Sequence, residues 1–296
     1  MKIAIISATG LLGRALEIEF NKFSHFHVIS TGFKRAHKHH LILNLLEKES
    51  IVSFVNLHKP DVIIYAAAER RPDICAKDPA SANAINVDAL AVLAQAAKQI
   101  GAWLLYFSTD YVFDGTQPPY QPNNDTNPLN EYALGKLKGE QALWNITDNA
   151  CVLRLPILYG NTEDLNESAV TVLANALLSN ETRILMDDWA IRYPTHTADI
   201  AIVCRQMIQH KIPNKDFNGT FHWSGNEAFT KYQMALVMAK ILGVNKDIIP
   251  NSTNPSEVAR PHNCHLDTSD LQALGIGANR QFKAGISPIL SKYKIS

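Results

Sequence analysis

Lys2-Ile3-Ala4-Ile5-Ile6-Ser7-Ala8-Thr9-Gly10-Leu11-Leu12-Gly13 decides how the rest of the chain is read. A continuous apolar run, Lys2–Ile6, predicts a strand buried on both faces, and Leu11–Phe23 has helical periodicity. The turn between them is glycine-bearing, as where a strand hands over to a helix whose free N–H groups hold a pyrophosphate. Missing side chains let the backbone approach such a ligand. Here Gly10 and Gly13 are present, but Ser7 stands where the first glycine is usual, which gives Ser-x-x-Gly-x-x-Gly. Ser7 is compatible with such a turn if its φ stays negative. The competing reading is a tight turn with no ligand.

Outward from this turn, short apolar runs alternate with helical patterns. Phe26–Ser30, His40–Leu43, Val62–Ala66, Trp103–Phe107 and Cys151–Leu155 read as strands. Ser50–His58, Ala80–Ile100 and Tyr132–Trp144 read as helices, with Gly101 as a stop. Buried strands alternating with helices predict an α/β, Rossmann-like doubly wound parallel sheet. Beyond residue 160 the pattern is less regular: Ser168–Ser179 and Lys231–Leu242 look helical, Phe221–Ser224 reads as a strand returning to the main sheet, and turn residues cluster at Pro213–Gly219 and Asn251–Pro261. The expected organisation is a dinucleotide-binding domain over residues 1–160 and a smaller substrate-binding lobe over 161–296, partly interleaved with it.

The chain has 296 residues, with 28 Lys+Arg balancing 28 Asp+Glu. It is 46% hydrophobic and 19% charged, so a disordered chain is excluded, and zero net charge without a basic run argues against nucleic acid as a partner. No run of about 18 apolar residues predicts a membrane span. The run from Ile3 to Leu12 imitates a secretory signal, but Arg14 and Glu17 cut it short. The four Cys, at 75, 151, 204 and 264, are widely spaced, which fits reduced thiols in a cytoplasmic protein.

Two further segments carry chemistry. After the second strand comes Thr31-Gly32-Phe33-Lys34-Arg35, with no acidic residue between Phe26 and Arg35. An acid there would bind ribose hydroxyls. Lys34 and Arg35 instead suit a 2′-phosphate, and Phe33 an adenine, so NADP is expected over NAD, against a solvated basic loop. His37, His39 and His40 are read as sharing that solvated face rather than binding metal. The second segment is Tyr132-Ala133-Leu134-Gly135-Lys136, which puts a phenol and an ammonium at i and i+4 on one helix face. A cation nearby stabilises phenolate and fits Tyr132 for proton transfer. Ser108-Thr109-Asp110 ends the Trp103–Phe107 strand, where α/β sheets bind ligands, and the Thr109 hydroxyl can hold a substrate carbonyl beside Tyr132. Together with the glycine turn, these elements point to a short-chain dehydrogenase/reductase.

Ser108-Thr109-Asp110-Tyr111-Val112-Phe113-Asp114-Gly115 resembles the signature of the dTDP-4-dehydrorhamnose reductase family, extended short-chain reductases, as do Arg260-Pro261 and Leu266-Asp267. Ala67-Ala68-Glu69-Arg70-Arg71-Pro72-Asp73, Leu155-Pro156-Ile157-Leu158-Tyr159-Gly160 and Thr220-Phe221-His222-Trp223-Ser224-Gly225-Asn226-Glu227 are most similar to regulatory β-subunits of methionine adenosyltransferase within that superfamily. The resemblance implies an NADPH-dependent reductase of a nucleotide-activated 4-keto sugar. Its alternative is an NADP-binding regulatory subunit whose partner is a methionine adenosyltransferase catalytic subunit. It implies coenzyme binding by Thr9, Gly10, Leu11, Leu12, Gly13, Phe33, Lys34, Arg35, Asn44, Leu45, Ala66, Ala67, Arg70, Tyr132, Lys136 and Leu158. Thr109, Tyr132 and Lys136 would be catalytic, and Thr109, Asp110 and Ile157 would touch the sugar. Where the sugar reductases carry a Trp, this chain has Ile157. An acidic residue that joins a Mg²⁺ site in some reductases is Ala15 here, so no metal site is expected. The regulatory subunits carry a longer C-terminal tail, which a chain ending Tyr293-Lys294-Ile295-Ser296 is expected to lack.

Three features are read as structural, and a fourth is left open. Asp187-Asp188 is expected to form a solvated turn, and His262-Asn263-Cys264-His265 to be local packing. His196 and His222 are expected to be satisfied histidines. Arg70 or Arg71 is expected either to meet an anionic ligand or to sit in an ion pair.

Overall fold

A computed structural model describes residues 1–253 and 257–294. Its centre is a seven-stranded sheet built on β1 (Lys2–Ile6), β2 (His27–Gly32), β3 (Leu41–Ile42), β4 (Val62–Tyr65), β5 (Trp103–Thr109), β6 (Ala150–Leu155) and the strand Gly219–His222. The order, from the late strand inward, is Gly219–His222, β6, β5, β4, β1, β2, β3, and every pairing is parallel. This is the doubly wound order. The chain runs outward from β1 through β2 to β3, then crosses back to β4. That reversal opens a crevice beyond the carboxyl ends of β1 and β4.

β1 sits between β2 and β4, which explains why it alternates in nothing. Ile3, Ala4, Ile5 and Ile6 are all fully buried. Ile3 and Ile5 face one core, shared with α1 (Leu11–Phe20) and the helix Thr197–Lys211, which supplies Ile200, Val203, Cys204, Met207 and Ile208. Ala4 and Ile6 face the other, shared with helices Lys48–His58 and Ala89–Ile100. Residues beyond 160 therefore complete both the sheet and one of its layers. A third core gathers Tyr159, Leu173, Leu177, Met234, Met238, Phe282 and Ile286 beside them.

The boundaries differ from expectation in informative places. The single helix expected over Ala80–Ile100 is Pro79–Asn83, a π turn Ala84–Asp88, and Ala89–Ile100, closed by Gly101 in the left-handed region. The π turn presents buried Asn86, whose side-chain amide donates to the Glu69 carbonyl (3.0 Å) and accepts from the Glu69 N–H (3.1 Å). β5 runs two residues further than expected, so Ser108 and Thr109 belong to the strand itself. The returning strand is Gly219–His222 rather than 221–224, leaving Trp223 and Ser224 beyond its end. The helix expected over Ser168–Ser179 is shortened to Leu173–Leu178, while Lys231–Leu242 stands as expected. Thr197–Lys211 and Phe282–Leu290 are helices the sequence reading did not anticipate. The turn cluster at Asn251–Pro261 lies partly outside the described residues. Among the described residues, no helix is long and apolar enough to cross a membrane.

Candidate active site

A cleft of about 590 Å³ lies over the carboxyl edge of the sheet, at the topological switch. One end is the turn after β1. Gly10 caps α1, and the helix packs so closely on the turn that a Cβ at Gly13 would lie 2.3 Å from the Ser7 carbonyl oxygen. The negative φ that was the condition for a serine at this turn is not met: the φ of Ser7 is +67°, in the left-handed region. The N–H of Ser7 donates to Thr31 Oγ1 (3.1 Å), and its carbonyl accepts from the Gly10 N–H (3.2 Å), which holds a serine where glycine is the easier residue.

Of the expected coenzyme residues, Gly10, Leu11, Leu12, Arg35, Ala66, Ala67, Arg70, Tyr132, Lys136 and Leu158 line this cleft together. Thr9 and Gly13 lie behind the turn, with Thr9 buried and its carbonyl accepting from Arg14 (2.8 Å). Phe33 and Lys34 are exposed, and neither lines the cleft. Asn44 also stands back from it, donating to Glu47 (2.7 Å), while Leu45 packs against the core under β2. The histidine run is not wholly solvated: His40 is buried, and its Nδ1 accepts from the His37 N–H (3.0 Å). Glu17, His39 and His40 bring three candidate ligand atoms within 4.8 Å of one another. With Nδ1 accepting, however, the ring proton of His40 is on Nε2 and points at Glu17 (3.4 Å), so that nitrogen has no lone pair for a metal.

In the middle of the cleft stand Thr109, Asp110, Tyr132 and Lys136. The helix Glu131–Ile146, capped by Asn130, carries Tyr132 and Lys136 one turn apart. Burial pushes the Tyr132 phenol up, a hydrogen bond shared with Thr109 pulls it back, and the neighbouring Asp110 carboxyl adds to the rise. The phenol is left well above its usual range, protonated at neutral pH. Lys136 is buried, its Nζ lying 4.2 Å from the centroid of the Tyr106 ring. Burial brings its pKa down to about 7, against the opposing pull of Glu140. Asp110 is pushed up to about 7 by burial, opposed by Arg192 and by the Thr109 hydroxyl, which donates to it (3.2 Å). The Ser108 hydroxyl is buried in the same wall without a hydrogen-bond partner among the described residues.

The far end of the cleft is cationic. Arg192 is buried and donates to the carbonyls of Ile191 (2.8 Å), Pro261 (3.1 Å) and His262 (3.4 Å). Arg260 faces Asp73 at 3.5 Å, and its Nε is buried without a partner among the described residues. Lys231 is half-buried; burial, then Arg260, lowers its pKa, with Arg192 adding to the fall and Asp187 opposing it. The sequence reading missed Lys231 and Arg192 as site residues. Neither sits in a motif; they meet only because the backbones of Arg192 and Phe229 exchange two hydrogen bonds of 2.8 Å. It also missed Arg14 and Glu167 at the glycine end. Ile157 lines the cleft, half-buried, between these regions.

The features read as structural resolve individually. Asp187 accepts from the N–H groups of Trp189 (2.9 Å) and Ala190 (3.1 Å), and Asp188 accepts from the Thr230 hydroxyl (2.7 Å). The pair forms a turn, but one that is half-buried rather than fully solvated. Cys264 and His265 pack on Phe113 and Tyr193. His196 caps the helix Thr197–Lys211, and His222 contacts the Tyr120 carbonyl at 3.1 Å. Arg71 is paired with Glu69 (2.6 Å), whereas Arg70 reaches the Glu167 carbonyl instead of a carboxylate.

Comparison with known proteins agrees with this architecture. The family model described as the RmlD substrate binding domain matches residues 1–295. Methionine adenosyltransferase 2 subunit beta of Bos taurus is 43% identical over 99% of this chain and 88% of its own length. The dTDP-4-dehydrorhamnose reductase of Escherichia coli K12 is 30% identical over 76% of this chain and 77% of its own. A crystal structure of a dTDP-4-dehydrorhamnose reductase from Clostridium acetobutylicum superposes with a TM-score of 0.86 at 26% identity, covering 100% of both chains. A Rossmann-like sheet in doubly wound order, Tyr132 and Lys136 facing Thr109 across its carboxyl edge, and a family match over nearly every residue place this chain in the RmlD substrate binding domain family.

Proposed function

We propose that the protein is an NADPH-dependent reductase of a nucleotide-activated 4-keto sugar, of the dTDP-4-dehydrorhamnose reductase type. The carrying observation is the juxtaposition of the Tyr132 phenol, the Thr109 hydroxyl and the buried Lys136 ammonium in one wall of the cleft. The glycine end fits the coenzyme: the close approach at Gly13 leaves room only for a residue without a side chain, and Arg35 opens onto the cleft. Gly10, Leu11 and Leu12 would hold the pyrophosphate, Arg35 the 2′-phosphate, and Ala66, Ala67, Arg70 and Leu158 the walls, with Tyr132 and Lys136 on the ribose. Bound there, the nicotinamide supplies hydride to the ketone carbon. The division into a coenzyme part over 1–160 and a substrate part over 161–296 belongs to the same reading.

Tyr132 gives its proton to the ketone oxygen, which the Thr109 hydroxyl and Asp110 orient. Burial keeps that phenol protonated until it is needed. Loss of the proton creates a phenolate one helical turn from Lys136, whose ammonium form offsets that charge. Ile157 borders the sugar. Arg192, Lys231 and Arg260 form the end suited to the diphosphate of a nucleotide sugar. The four buried free thiols support a cytoplasmic setting.

The test is oxidation of NADPH by dTDP-4-dehydrorhamnose, followed by absorbance. The wild type should turn over. Tyr132→Phe should lose activity by about 10²- to 10⁴-fold while its NADPH affinity stays within about threefold, a uniform-binding criterion. Absence of NADPH oxidation by the wild type would sink the reading.

The higher identity to the adenosyltransferase β-subunits than to the bacterial reductase favours a second reading. In it the protein is an NADP-binding regulatory subunit, and the retained site serves coenzyme binding alone. Co-elution with a methionine adenosyltransferase catalytic subunit at micromolar concentration supports it, and separate elution argues against it.

A further inference from the structure

The glycine end of the cleft carries a charge arrangement that the coenzyme reading does not absorb. The segment after Tyr159 folds back over the start of α1 and sets two carboxylates against two guanidinium groups. Arg14 donates to both Glu167 oxygens (2.9 and 2.6 Å) and also to the carbonyls of Thr9 (2.8 Å) and Asn161 (3.2 Å). Among the described residues Arg35 has a single close acceptor, Glu167 Oε1 at 2.9 Å, and its side chain is 55% exposed. Glu163 lies 3.7 Å from Arg14 and 3.8 Å from Arg35, near both but bonded to neither. The segment is anchored from behind: the Ser168 hydroxyl donates to the Leu158 carbonyl (2.8 Å) and the Thr171 hydroxyl to the Leu165 carbonyl (2.7 Å).

Two facts follow from this geometry. The formal charges of Arg14, Arg35, Glu163 and Glu167 cancel, so an arriving phosphate meets a neutralised corner. The two arginines also differ: Arg14 is fixed by several acceptors, whereas Arg35 is held by one and can turn away. Burial raises the Glu167 pKa, but the hydrogen bond from Arg14, the Glu163 N–H and Arg35 overcome it and bring it down to about 2. Glu167 is therefore a carboxylate throughout the physiological range.

Resting on the coenzyme reading above, we infer that Glu167 is an internal competitor for Arg35: it occupies the guanidinium that a 2′-phosphate must take, and so lowers the protein's preference for NADPH over NADH. A phosphate displacing Glu167 from Arg35 would still face both carboxylates, and like charges at this range oppose binding. NADH has no 2′-phosphate to bring to Arg35 and leaves the Arg35–Glu167 pair in place. The device thus sets coenzyme selectivity rather than catalysis.

Glu167→Gln keeps the side-chain shape and removes the charge. Titration of the purified full chain with NADPH and NADH, by nicotinamide fluorescence, should show NADPH binding tightened roughly three- to tenfold and NADH unchanged within twofold, the range of a partly exposed ion pair. Glu163→Gln removes a charge without removing a hydrogen bond to either arginine, and should give a gain of about twofold with the same selectivity. Unchanged or weakened NADPH binding in Glu167→Gln, or an equal gain for NADH, overturns the inference and leaves the coenzyme reading standing. Should Glu167→Gln fail to fold, Glu163→Gln carries the test, and absence of a selective gain overturns it. A wild type that binds neither nucleotide brings down the coenzyme reading and the inference together.

Discussion

The two ends of the cleft are built by different rules. At the glycine end, β1, its turn, α1 and β2 follow one another within the first 35 residues, and later segments (β4, the helix Thr197–Lys211 and the carboxylate of Glu167) only close in on a frame already continuous in sequence. At the cationic end, Arg192, Lys231 and Arg260 come from three separated segments joined by backbone bonds between Arg192 and Phe229 and by Arg192's reach to Pro261 and His262. Charge follows the same division. The arginines of the glycine end are matched by carboxylates at hydrogen-bond distance, whereas Arg192 spends its hydrogen bonds on carbonyls and Lys231, among the described residues, has no carboxylate hydrogen-bonded to it. The first end is locally framed, and a later segment brings the carboxylates that balance its arginines; the second is assembled from separated segments with cationic charge left over for a ligand.

If that contrast holds, a substitution at one end leaves the other alone. The largest effect on substrate affinity is expected for Lys231→Met, which keeps the apolar stem and removes the charge. The KM for the nucleotide sugar should rise about tenfold, equivalent to about 1.4 kcal/mol, with the NADPH dissociation constant unchanged. Steady-state kinetics beside a coenzyme titration checks both numbers. A weakened NADPH affinity with an unchanged KM would show that the two ends are not separable in this way.

The same division explains what could be read in advance. The buried strand Lys2–Ile6, the glycine turn and the Tyr132–Lys136 pair are local patterns, and local patterns survive folding because periodicity and turn chemistry act over a few residues. The order of the sheet followed from strand–helix alternation. By contrast, the helix Thr197–Lys211 went unread although Ile200, Val203, Cys204, Met207 and Ile208 recur at i, i+3, i+4, i+7 and i+8; the signal was legible there, and what the sequence did not carry is the sheet face on which that stripe packs. Lys231 and Arg192 gave no signal, since a lone cation becomes a site residue only through what the fold places opposite it. The condition set for Ser7, a negative φ, is not met, because a left-handed φ is a property of the turn's packing, including the close approach of Gly13 to the Ser7 carbonyl, and leaves no local mark in the sequence.

Lys136 stands between the two ends and should cost the protein stability. Its pKa is lowered to about 7 by burial, so the folded state disfavours its charged form. The penalty is absent above the unfolded value near 10.4, grows as pH falls towards 7, and is complete below 7. Lys136→Met should therefore abolish turnover while stabilising the fold by about 1–2 kcal/mol, a stability–function exchange common at active sites. Thermal unfolding should show the gain largest at pH 6 and smallest at pH 10. A gain independent of pH would mean that packing, not charge, is responsible.

The smallest effect concerns the glycine end's departure from its own rule. A non-glycine residue in the left-handed region costs about 1–2 kcal/mol, and glycine there gives back roughly 0.5–1 kcal/mol through the greater freedom of its unfolded chain. Ser7→Gly should therefore raise the unfolding temperature by only about 1–3 °C, given the usual conversion for a chain of this size. Coenzyme affinity should stay within about twofold, because the N–H bond to Thr31 and the carbonyl bond from Gly10 are backbone features that the substitution leaves in place. A drop in melting temperature would show that the serine side chain holds the turn together. If the temperature rises as expected but NADPH binds tenfold more tightly, the side chain obstructs the phosphate, and the glycine end is then no more complete without its ligand than the cationic one.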